Sequence, residues 1–525
     1  RLLLQPPSKS DRGAPITGLV RYEWTPEIEG RIAAIAGHHH GAFPPTEKGL
    51  RTSTLTWRLR PEDPRVEIPR EQYRLRTMPM FDHPESTLPV VEVDLPSGFQ
   101  KGYLYELIYE AVDPYVAGAG FVAVRDLISA CKHGEGEGLP AIFKGREHRY
   151  AIGFGVSQSG RFLREFLYSG FNVDEKGRTV FEGLMPHVAG AGMGSFNHRF
   201  AQPTAFATPF QKADWAVDRF PFGYHTEVDP LTGKVDSLLA STPPENQPKI
   251  IHTQSATEYW SRGGSLVHTD ALGKADAEIP DNVRIYAFGA TQHSPATYPP
   301  GVGDAQTMAN PADYRPQLRA LLVALTRWVK EEAPPPESVY PRIARRQLGG
   351  YDLAAQSFPR IPGKRVPESM LIPAVYDLGP RWEKEGIIDN VPPRLGARYG
   401  ALAPLTDRDG HDLGCLLPVE AAVPLATHTG WSLRSRDAGA QNQIVGLVGS
   451  YILFPLTAKD RVETGDPRRS IDERYRSLDE YAEKLTEAWR RMVDAGFLLE
   501  EDIPPIVEKH RQRAEAIFEQ VQAAR

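Results

Sequence analysis

The sequence has little cysteine, no long apolar run and no basic run, and each absence excludes a class of protein. Only Cys131 and Cys415 occur among 525 residues, without a CxxC pair, so neither a disulfide framework nor a zinc site is predicted. No window approaches the roughly 18 apolar residues of a membrane helix, and no membrane span is expected. Lys and Arg number 61 against 67 Asp and Glu. Without a basic run to follow a phosphate backbone, nucleic acid is not expected as a partner.

The chain is too long for a single compact core, which rarely grows past roughly 250–300 residues. Residues 1–100 are rich in proline and charge and contain short β-like runs. We expect a β-rich N-terminal segment there, without a helix of its own. Three successive histidines, His38, His39 and His40, lack nearby cysteine or acidic ligands. We interpret them as a solvated loop rather than a metal site.

Residues 101–335 alternate between strand-like and helix-like patterns, which is typical of a parallel sheet covered on both faces. The expected strands are YLYELIYEA, YAIGFGVS, LMPHVAGAG, PKIIHTQS and NVRIYAFGA, and the expected helices are GAGFVAVRDLISACKH, SGRFLREFLYSGF and YRPQLRALLVALTRWVKEE. The sequence therefore predicts an α/β fold with a doubly wound, mostly parallel sheet.

Two further regions accompany this predicted core. An aromatic-rich stretch at about 195–246 lacks strand alternation, and we expect a cap over the carboxyl ends of the strands. The last region, residues 336–525, begins within the linker APPPES (333–338) and ends in two stretches of helical periodicity. We expect this C-terminal mixed and helical region to pack on the core.

The strongest chemical signal is YAIGFGVSQSGRFLREFLY, in which an apolar strand runs through GVSQSG into a helix. A nucleophile elbow needs small residues two positions before and after its nucleophile, and Gly155 and Ser159 meet that demand around Ser157. The alternative register, with Ser159 as nucleophile, places Arg161 at a small position, where arginine does not fit. A tight turn whose serines only cap the helix is the alternative without chemistry.

A serine nucleophile needs a histidine base, and His293 has the best position among the 15 histidines. It stands a few residues past the strand NVRIYAFGA, and in this type of fold the order along the chain is nucleophile, acid, histidine. His187 and His252 lie inside predicted strands. We interpret both as core residues.

The acid should follow the strand before the histidine, and Glu258 is the first carboxylate after PKIIHTQS. A buried carboxylate fixes the tautomer of the imidazole and stabilises the imidazolium. Asp270 and Asp281 are the rival acids. If the assignment is correct, the Ser157 hydroxyl lies about 2.6–3.5 Å from Nε2 of His293, and Glu258 is hydrogen-bonded to Nδ1.

Several long strings of this sequence resemble a large, mostly bacterial and largely uncharacterised family of α/β-hydrolase domain proteins. They are GVSQSGRFLREFLYSGFNVDE, HVAGAGMGSFNHRFAQP, TEYWSRGGSLVHTD, GATQH, YLYELIYEAVDPYVAGAGFVAVRDL, VPLATHTGWSLR and DPRRSIDERY. The resemblance implies a serine, acid and histidine at Ser157, Glu258 and His293. It also implies that chain with early strands precedes GAPITGLVRYE. Since the first residue is Arg1 rather than Met, we expect that processing or the choice of boundary removed it.

The resemblance also marks His268, in SLVHTD, as part of a motif that the chemistry does not obviously need. We expect it to support the site or anchor the cap, and we place Ser159 and Trp260 with it as supporting or substrate-contacting candidates. One oxyanion donor should be the backbone N–H of Gln158, the residue after the nucleophile. The second donor is unassigned, because no HGGG string occurs; PSGFQKG and VDPYVAGAG are candidate loops.

These residues predict a serine hydrolase that cleaves a small carboxylic ester through an acyl-enzyme, without a cofactor or metal. The cap aromatics form either a substrate wall or the core of the cap; they are Trp215, Phe220, Phe222 and Tyr224. A peptidase or lactonase would use the same triad, because fold and triad do not fix the leaving group. A non-catalytic module that retains the fold is the alternative from another class. Two cysteines are compatible with cytoplasm or export, and neither compartment nor oligomeric state can be read from the sequence.

Overall fold

The computed structural model describes residues 13–35, 42–79, 89–114, 118–136, 138–140, 142–145, 148–202, 210 and 214–525. The three successive histidines at 38–40 lie outside these residues. In the N-terminal region the strands and the helix are β1 Thr17–Trp24, β2 Gly30–Ile35, α1 Glu47–Thr52, β3 Thr54–Arg58, β4 Val66–Ile68, β5 Arg74–Met78, β6 Val90–Phe99 and β7 Leu104–Val112.

The N-terminal strands form two antiparallel sheets, ordered β1-β7-β3-β4 and β2-β6-β5. The prediction that YLYELIYEA belongs to the parallel sheet is therefore wrong, because β7 pairs with β1 and β3. On β7, Tyr105, Leu107 and Tyr109 belong to a hydrophobic cluster, whereas Glu106 binds Arg21. This two-residue alternation is typical of antiparallel strands, while strands buried on both faces of a parallel sheet are apolar throughout.

A short helix, α1, contradicts the expectation of an N-terminal segment without helix. The side chain of Thr46 caps it by accepting a hydrogen bond from the N–H of Gly49 at 2.8 Å. Glu47 in its first turn and Arg51 in its last turn complement the helix dipole. Six residues are too few to show the apolar periodicity by which longer helices are recognised.

The central sheet contains four parallel strands in the order β13-β12-β9-β8. From residue 119 to residue 331 the elements are α2 Ala119–His133, β8 Ile152–Val156, α3 Gln158–Tyr168, β9 Gly183–His187, β10 Glu227–Val228, β11 Val235–Asp236, β12 Lys249–Ser255, α4 Ala256–Ser261, β13 Val283–Phe288, β14 Met308–Ala309 and α5 Arg315–Glu331.

Both faces of this sheet are covered, because neighbouring residues of its strands enter different hydrophobic clusters. Leu184 of β9 and Ile250 of β12 pack in one cluster with Phe166 of α3. Met185 and Ile251, the next residues along the same strands, pack in another cluster, with the apolar side of α5. Helix α3 therefore packs against one set of strand side chains and helix α5 against the alternate set, as in an α/β fold.

The expected cap aromatics are mostly core residues. Phe220, Phe222 and Tyr224 are buried in the same cluster as α3, and Trp215 lies against the guanidinium of Arg21 of β1. Residues 203–209 and 211–213 of the expected cap lie outside the described part of the chain. Three of the four aromatic side chains therefore belong to the hydrophobic core.

The C-terminal region contacts both the hydrophobic core and the edge of the central sheet. Residues between Tyr340 and Ile452 contribute to the cluster that contains α3. Val339 and Leu416 form parallel bridges with Tyr286 and Phe288 of β13. The elements here are β15 Leu348–Gly349, α6 Tyr351–Ser357, β16 Ala374–Asp377, α7 Trp382–Glu385, β17 Arg394–Arg398, β18 Ala403–Pro404, α8 Val419–Ala422, β19 Ala426–His428, β20 Ser450–Leu453, α9 Ala458–Thr464, α10 Ile471–Arg474, α11 Leu478–Asp494 and α12 Ile503–Ala524.

The two long C-terminal helices, α11 and α12, have a hydrophobic cluster of their own. Leu485 and Trp489 of α11 pack there against Ile517 and Phe518 of α12. Within the described residues, no helix is both long and apolar enough to cross a membrane.

Candidate active site

A sharp turn between β8 and α3 presents Ser157. Its backbone lies at φ 56 and ψ −114, a conformation that L-residues rarely adopt and that is found where the surrounding structure enforces it. The Ser157 N–H donates to the carbonyl of His187 on the neighbouring strand at 2.8 Å. The turn is therefore held by the sheet itself, and the serine side chain projects from the carboxyl end of a parallel strand.

Two glycines allow the chain to pass through this turn. A Cβ at Gly155 would collide with the backbone carbonyl of Ser159, and one at Gly160 would approach the carbonyl oxygen of His187 to 2.9 Å. Ser159, in contrast, has an exposed side chain. The close approach on the helix side thus falls on Gly160, one residue later than the spacing predicts, which explains why a serine is tolerated at 159.

The structure brings the three sequence-predicted residues together. Oγ of Ser157 lies 2.8 Å from Nε2 of His293, and Nδ1 of His293 lies 2.6 Å from Oε1 of Glu258. His293 follows β13, and its backbone carbonyl accepts a hydrogen bond from the hydroxyl of Tyr314. Glu258 and His293 are both buried, so water does not compete for the bond between them.

Glu258 is the third residue of α4 and is held by a capping box. Its Oε2 accepts hydrogen bonds from the N–H of Ser255 at 2.8 Å and from the Ser255 hydroxyl at 2.6 Å. Burial alone would raise the pKa of Glu258, but the charge on His293 and the hydrogen bonds from His293 and Ser255 outweigh burial and lower this pKa below its ordinary value. The two carboxylate oxygens therefore have different partners, since the cap fixes Oε2 while Oε1 faces His293.

The ionised state of Glu258 determines the tautomer of His293. A carboxylate only accepts hydrogen bonds, so in the neutral imidazole Nδ1 carries the proton and Nε2 is the acceptor. Nε2 can then accept the hydroxyl proton of Ser157. The arrangement can deprotonate the serine hydroxyl when that oxygen attacks an electrophile.

The loop that carries His293 is fixed by residues far along the chain. The Ala290 N–H donates to Oδ2 of Asp412 at 2.6 Å. Asn310 donates through Nδ2 to the carbonyls of Ala290 and Thr429, both at 2.9 Å, and its N–H donates to Oε1 of Gln292 at 3.0 Å. The segment that leads into the histidine is therefore anchored by buried polar bonds.

Gly430, in the string VPLATHTGWSLR, lies at a position where a side chain would not fit. A Cβ there would collide with the backbone of Ala256 and Thr257, at the start of α4, and the Gly430 carbonyl accepts a hydrogen bond from the Thr257 hydroxyl at 2.6 Å. This C-terminal segment thus packs backbone to backbone on the helix that carries Glu258.

Replacing Ser255 with alanine tests the capping box. The variant loses the hydroxyl bond to Glu258, and we expect a loss of about 1–2 kcal/mol of unfolding free energy at pH 7. The folded pKa of Glu258 is lowered, so the stability linked to its charge is present above the unfolded carboxyl pKa and is lost as pH falls through the folded pKa. The difference between variant and original should therefore shrink below about pH 4. Urea unfolding at pH 7 and pH 3.5 measures it; a pH-independent difference would contradict this account.

The predicted supporting residues lie around α4, and Ser159 lies apart from them. Nε2 of His268 lies 2.8 Å from the hydroxyl of Tyr259, the neighbour of Glu258, and burial lowers the pKa of His268 to about 3. Trp260 is buried against Trp431. Neither has a hydrogen bond to Ser157 or His293 among the contacts of the described residues, which fits support of α4 better than direct substrate contact.

The two histidines interpreted as core residues are paired within the sheet and cap. His187 lies 2.8 Å from the Thr253 hydroxyl, and His252 lies 3.0 Å from the Tyr224 hydroxyl. Burial lowers the pKa of His187 to about 3 and that of His252 well below its usual range. Both are therefore neutral at pH 7.

Comparison of His268→Ala with His293→Ala tests the ranking of these histidines. His268→Ala removes a bond to Tyr259 but leaves the contacts of Glu258 in place, so we expect kcat/KM on an activated ester to fall by about tenfold to a hundredfold. His293→Ala removes the base and should cost at least about 10⁴-fold. Equal losses in the two variants would refute the ranking.

Of the candidate oxyanion donors, only the N–H of Gln158 lies beside Ser157 in the described residues. Gln158 is the first residue of α3, so its N–H lies at the positive end of the helix dipole beside Ser157. In PSGFQKG, residues 96–99 belong to β6 rather than to a loop. In VDPYVAGAG, residues 115–117 lie outside the described part, and the Gly118 N–H donates to the carbonyl of Phe196. The second donor stays unassigned.

Three residues that hold the site, Ser255, Asn310 and Asp412, are not among those predicted from the sequence. Ser255 was detectable, because a serine three residues before a glutamate at the end of a strand is a capping-box pattern. Asn310 and Asp412 have no local signal, since they act on the His293 loop from distant positions. In the described residues no group of three or more His, Cys, Asp or Glu could hold a metal ion.

Comparison with known proteins identifies the family of the chain. A family model described as "Alpha/beta hydrolase domain" matches residues 105–508, which is most of the chain. No curated protein and no solved structure matches the chain.

Proposed function

We propose that this chain, which belongs to the alpha/beta hydrolase domain family, is a serine hydrolase that cleaves carboxylic esters through an acyl-enzyme. Ser157 is the nucleophile, His293 the general base and Glu258 the orienting acid. The observation that carries the proposal is the pair of hydrogen bonds that joins these three side chains in that order, at 2.8 Å and 2.6 Å.

The reaction follows from the positions of the protons. Oγ of Ser157 attacks the acyl carbon while Nε2 of His293 takes the hydroxyl proton, and the negative charge of Glu258 stabilises the imidazolium. The Gln158 N–H donates to the oxyanion of the tetrahedral intermediate. His293 then returns the proton to the departing alcohol, which leaves an acyl group on Ser157. Water, deprotonated by His293, hydrolyses this acyl-enzyme in the reverse sequence of proton transfers.

Labelling with a fluorophosphonate tests the nucleophile. The probe phosphonylates an activated serine with loss of fluoride, and we expect mass spectrometry to locate the adduct on Ser157. The exposed Ser159, two residues away, is the internal control because it has no base beside it among the described contacts. Absence of any adduct would favour the alternative, a non-catalytic module that retains the fold.

A panel of p-nitrophenyl esters of graded acyl length, with the matching anilides and a lactone, tests the leaving group. We expect turnover of the esters, with weak or no turnover of the anilides. Faster hydrolysis of the anilides or the lactone would reassign the chemistry to a peptidase or lactonase, without changing the roles of the three residues.

A further inference from the structure

A cavity lies at the C-terminal end of α3, which is the end remote from Ser157. It has a volume of about 280 Å³, opens to solvent, and is lined by the end of α3, residues 219–234 and residues 374–399 of the C-terminal region. Five aromatic side chains form much of its wall: Tyr168, Phe220, Tyr376, Trp382 and Tyr399. Such a wall favours the flat apolar part of an organic ligand.

Arg219 places a guanidinium in this wall. The group lies 5.8 Å from the ring centre of Tyr168 and 5.3 Å from that of Trp382. Within the described chain no carboxylate comes within ion-pair distance of Arg219. The positive charge of Arg219 does act on Glu165, whose pKa it lowers in part. Burial raises the pKa of Glu165 to about 7, so this carboxyl neutralises Arg219 only in part. The two rings hold the guanidinium in place and leave its N–H donors available to a ligand.

The other charged groups of the cavity are already engaged or lie at its rim. Asp229 is fully buried and accepts hydrogen bonds from the Thr232 hydroxyl and the Tyr399 hydroxyl. Lys234 binds Asp236 at 2.8 Å. Glu383 is exposed, where solvent and salt screen its charge. Among the described residues, Arg219 is therefore the cation of this cavity that has no carboxylate within ion-pair distance.

We propose that this cavity binds a small organic acid, with its carboxylate on Arg219 and an aromatic ring against the aromatic wall. A guanidinium matches a carboxylate in a bidentate geometry, and the bond is strongest where neighbouring rings exclude water. Inorganic phosphate satisfies the guanidinium but leaves the apolar wall without a partner, so it binds more weakly. A neutral amide of the same shape loses the charge interaction.

This cavity is separate from the proposed catalytic centre. Ser157 precedes α3 and Tyr168 ends it, 11 helical residues later. At 1.5 Å per residue the two positions are about 16 Å apart along the helix axis. The inference therefore does not depend on the proposed hydrolysis, and its test does not need substrate turnover.

Calorimetric titration of the whole chain with benzoate, benzamide and inorganic phosphate tests the site. We expect benzoate to bind at least tenfold more tightly than benzamide or phosphate. In Arg219→Gln the advantage of benzoate over benzamide should disappear, and Arg219→Lys should keep part of it. Arg408→Gln is the matched control, since Arg408 is exposed elsewhere on the surface; this variant should bind benzoate as the original does.

Three results would overturn the proposal. They are equal binding of benzoate and benzamide by the original protein, binding of phosphate without benzoate, and benzoate binding that survives Arg219→Gln. If Arg219→Gln does not fold, as judged by circular dichroism, the comparison of benzoate with benzamide on the original protein still decides. The proposal is supported if the original protein and Arg408→Gln bind benzoate more tightly than benzamide and Arg219→Gln does not.

Discussion

Ser157→Ala is expected to lower kcat for an activated ester by on the order of 10⁶-fold, the cost of removing a triad nucleophile. The variant removes one oxygen and keeps the backbone, so the fold and the hydrogen bond between His293 and Glu258 should persist. Residual hydrolysis would come from the oxyanion donor and substrate binding. Steady-state kinetics with a p-nitrophenyl ester, after removal of contaminating esterase, measure the loss.

Ser159→Ala is the matched control for this variant. It makes the same chemical change two residues later, at an exposed side chain in the first turn of the same helix. We expect its kcat/KM to remain within a few-fold of the original. A large loss at Ser159 with little loss at Ser157 would reverse the register of the elbow.

Glu258→Gln is expected to lower kcat/KM by on the order of 10⁴-fold, as in the serine protease in which the acid was replaced by its amide. The capping box gives this expectation a specific cause. Both Ser255 donors point at Oε2, so the amide oxygen of glutamine takes that position and its NH₂ group faces His293. Nδ1 must then accept, Nε2 carries the proton, and the base can no longer accept the hydroxyl proton of Ser157.

Asp270→Asn and Asp281→Asn are the controls for the acid. Asp270 accepts backbone N–H bonds from Lys274 and Ala275 in a turn, and Asp281 is exposed. Both variants should stay within a few-fold of the original kcat/KM, a ratio that reports transition-state stabilisation whatever happens to binding. If Glu258→Gln kept near-full activity while either control lost it, the acid would be misassigned, and Ser157 and His293 would keep their roles.

The candidate site could be predicted from sequence because its residues stand directly after strands. Parallel strands bring their carboxyl ends to one edge of a sheet, so Ser157, Glu258 and His293, each just beyond a strand, meet there although they are far apart in the chain. The sequence also predicts β8, β12 and β13 from their apolar runs, and α5 from its helical periodicity. Local patterns thus defined the parallel sheet and the residues at its edge.

Other features could not be predicted because their causes are not local. β7 contains Glu106 and Glu110 between its apolar residues, a pattern that allows an antiparallel strand, but its partners β1 and β3 are distant in the chain and only the pairing identifies them. The Asp412 bond to Ala290 spans 122 residues, a separation at which sequence spacing carries no information. The position of the crowded glycine, 160 rather than 159, depends on the neighbouring strand.

The polar anchors of the His293 loop also set the order in which a growing chain can become active. Ser157, Glu258 and His293 are all synthesised before residue 300, but Asp412 and Thr429, which hold the loop, come more than a hundred residues later. A nascent chain that ends before these residues carries the reacting groups without the contacts that fix their geometry. Hydrolytic power would therefore arise late in synthesis, once the C-terminal region has folded onto the sheet.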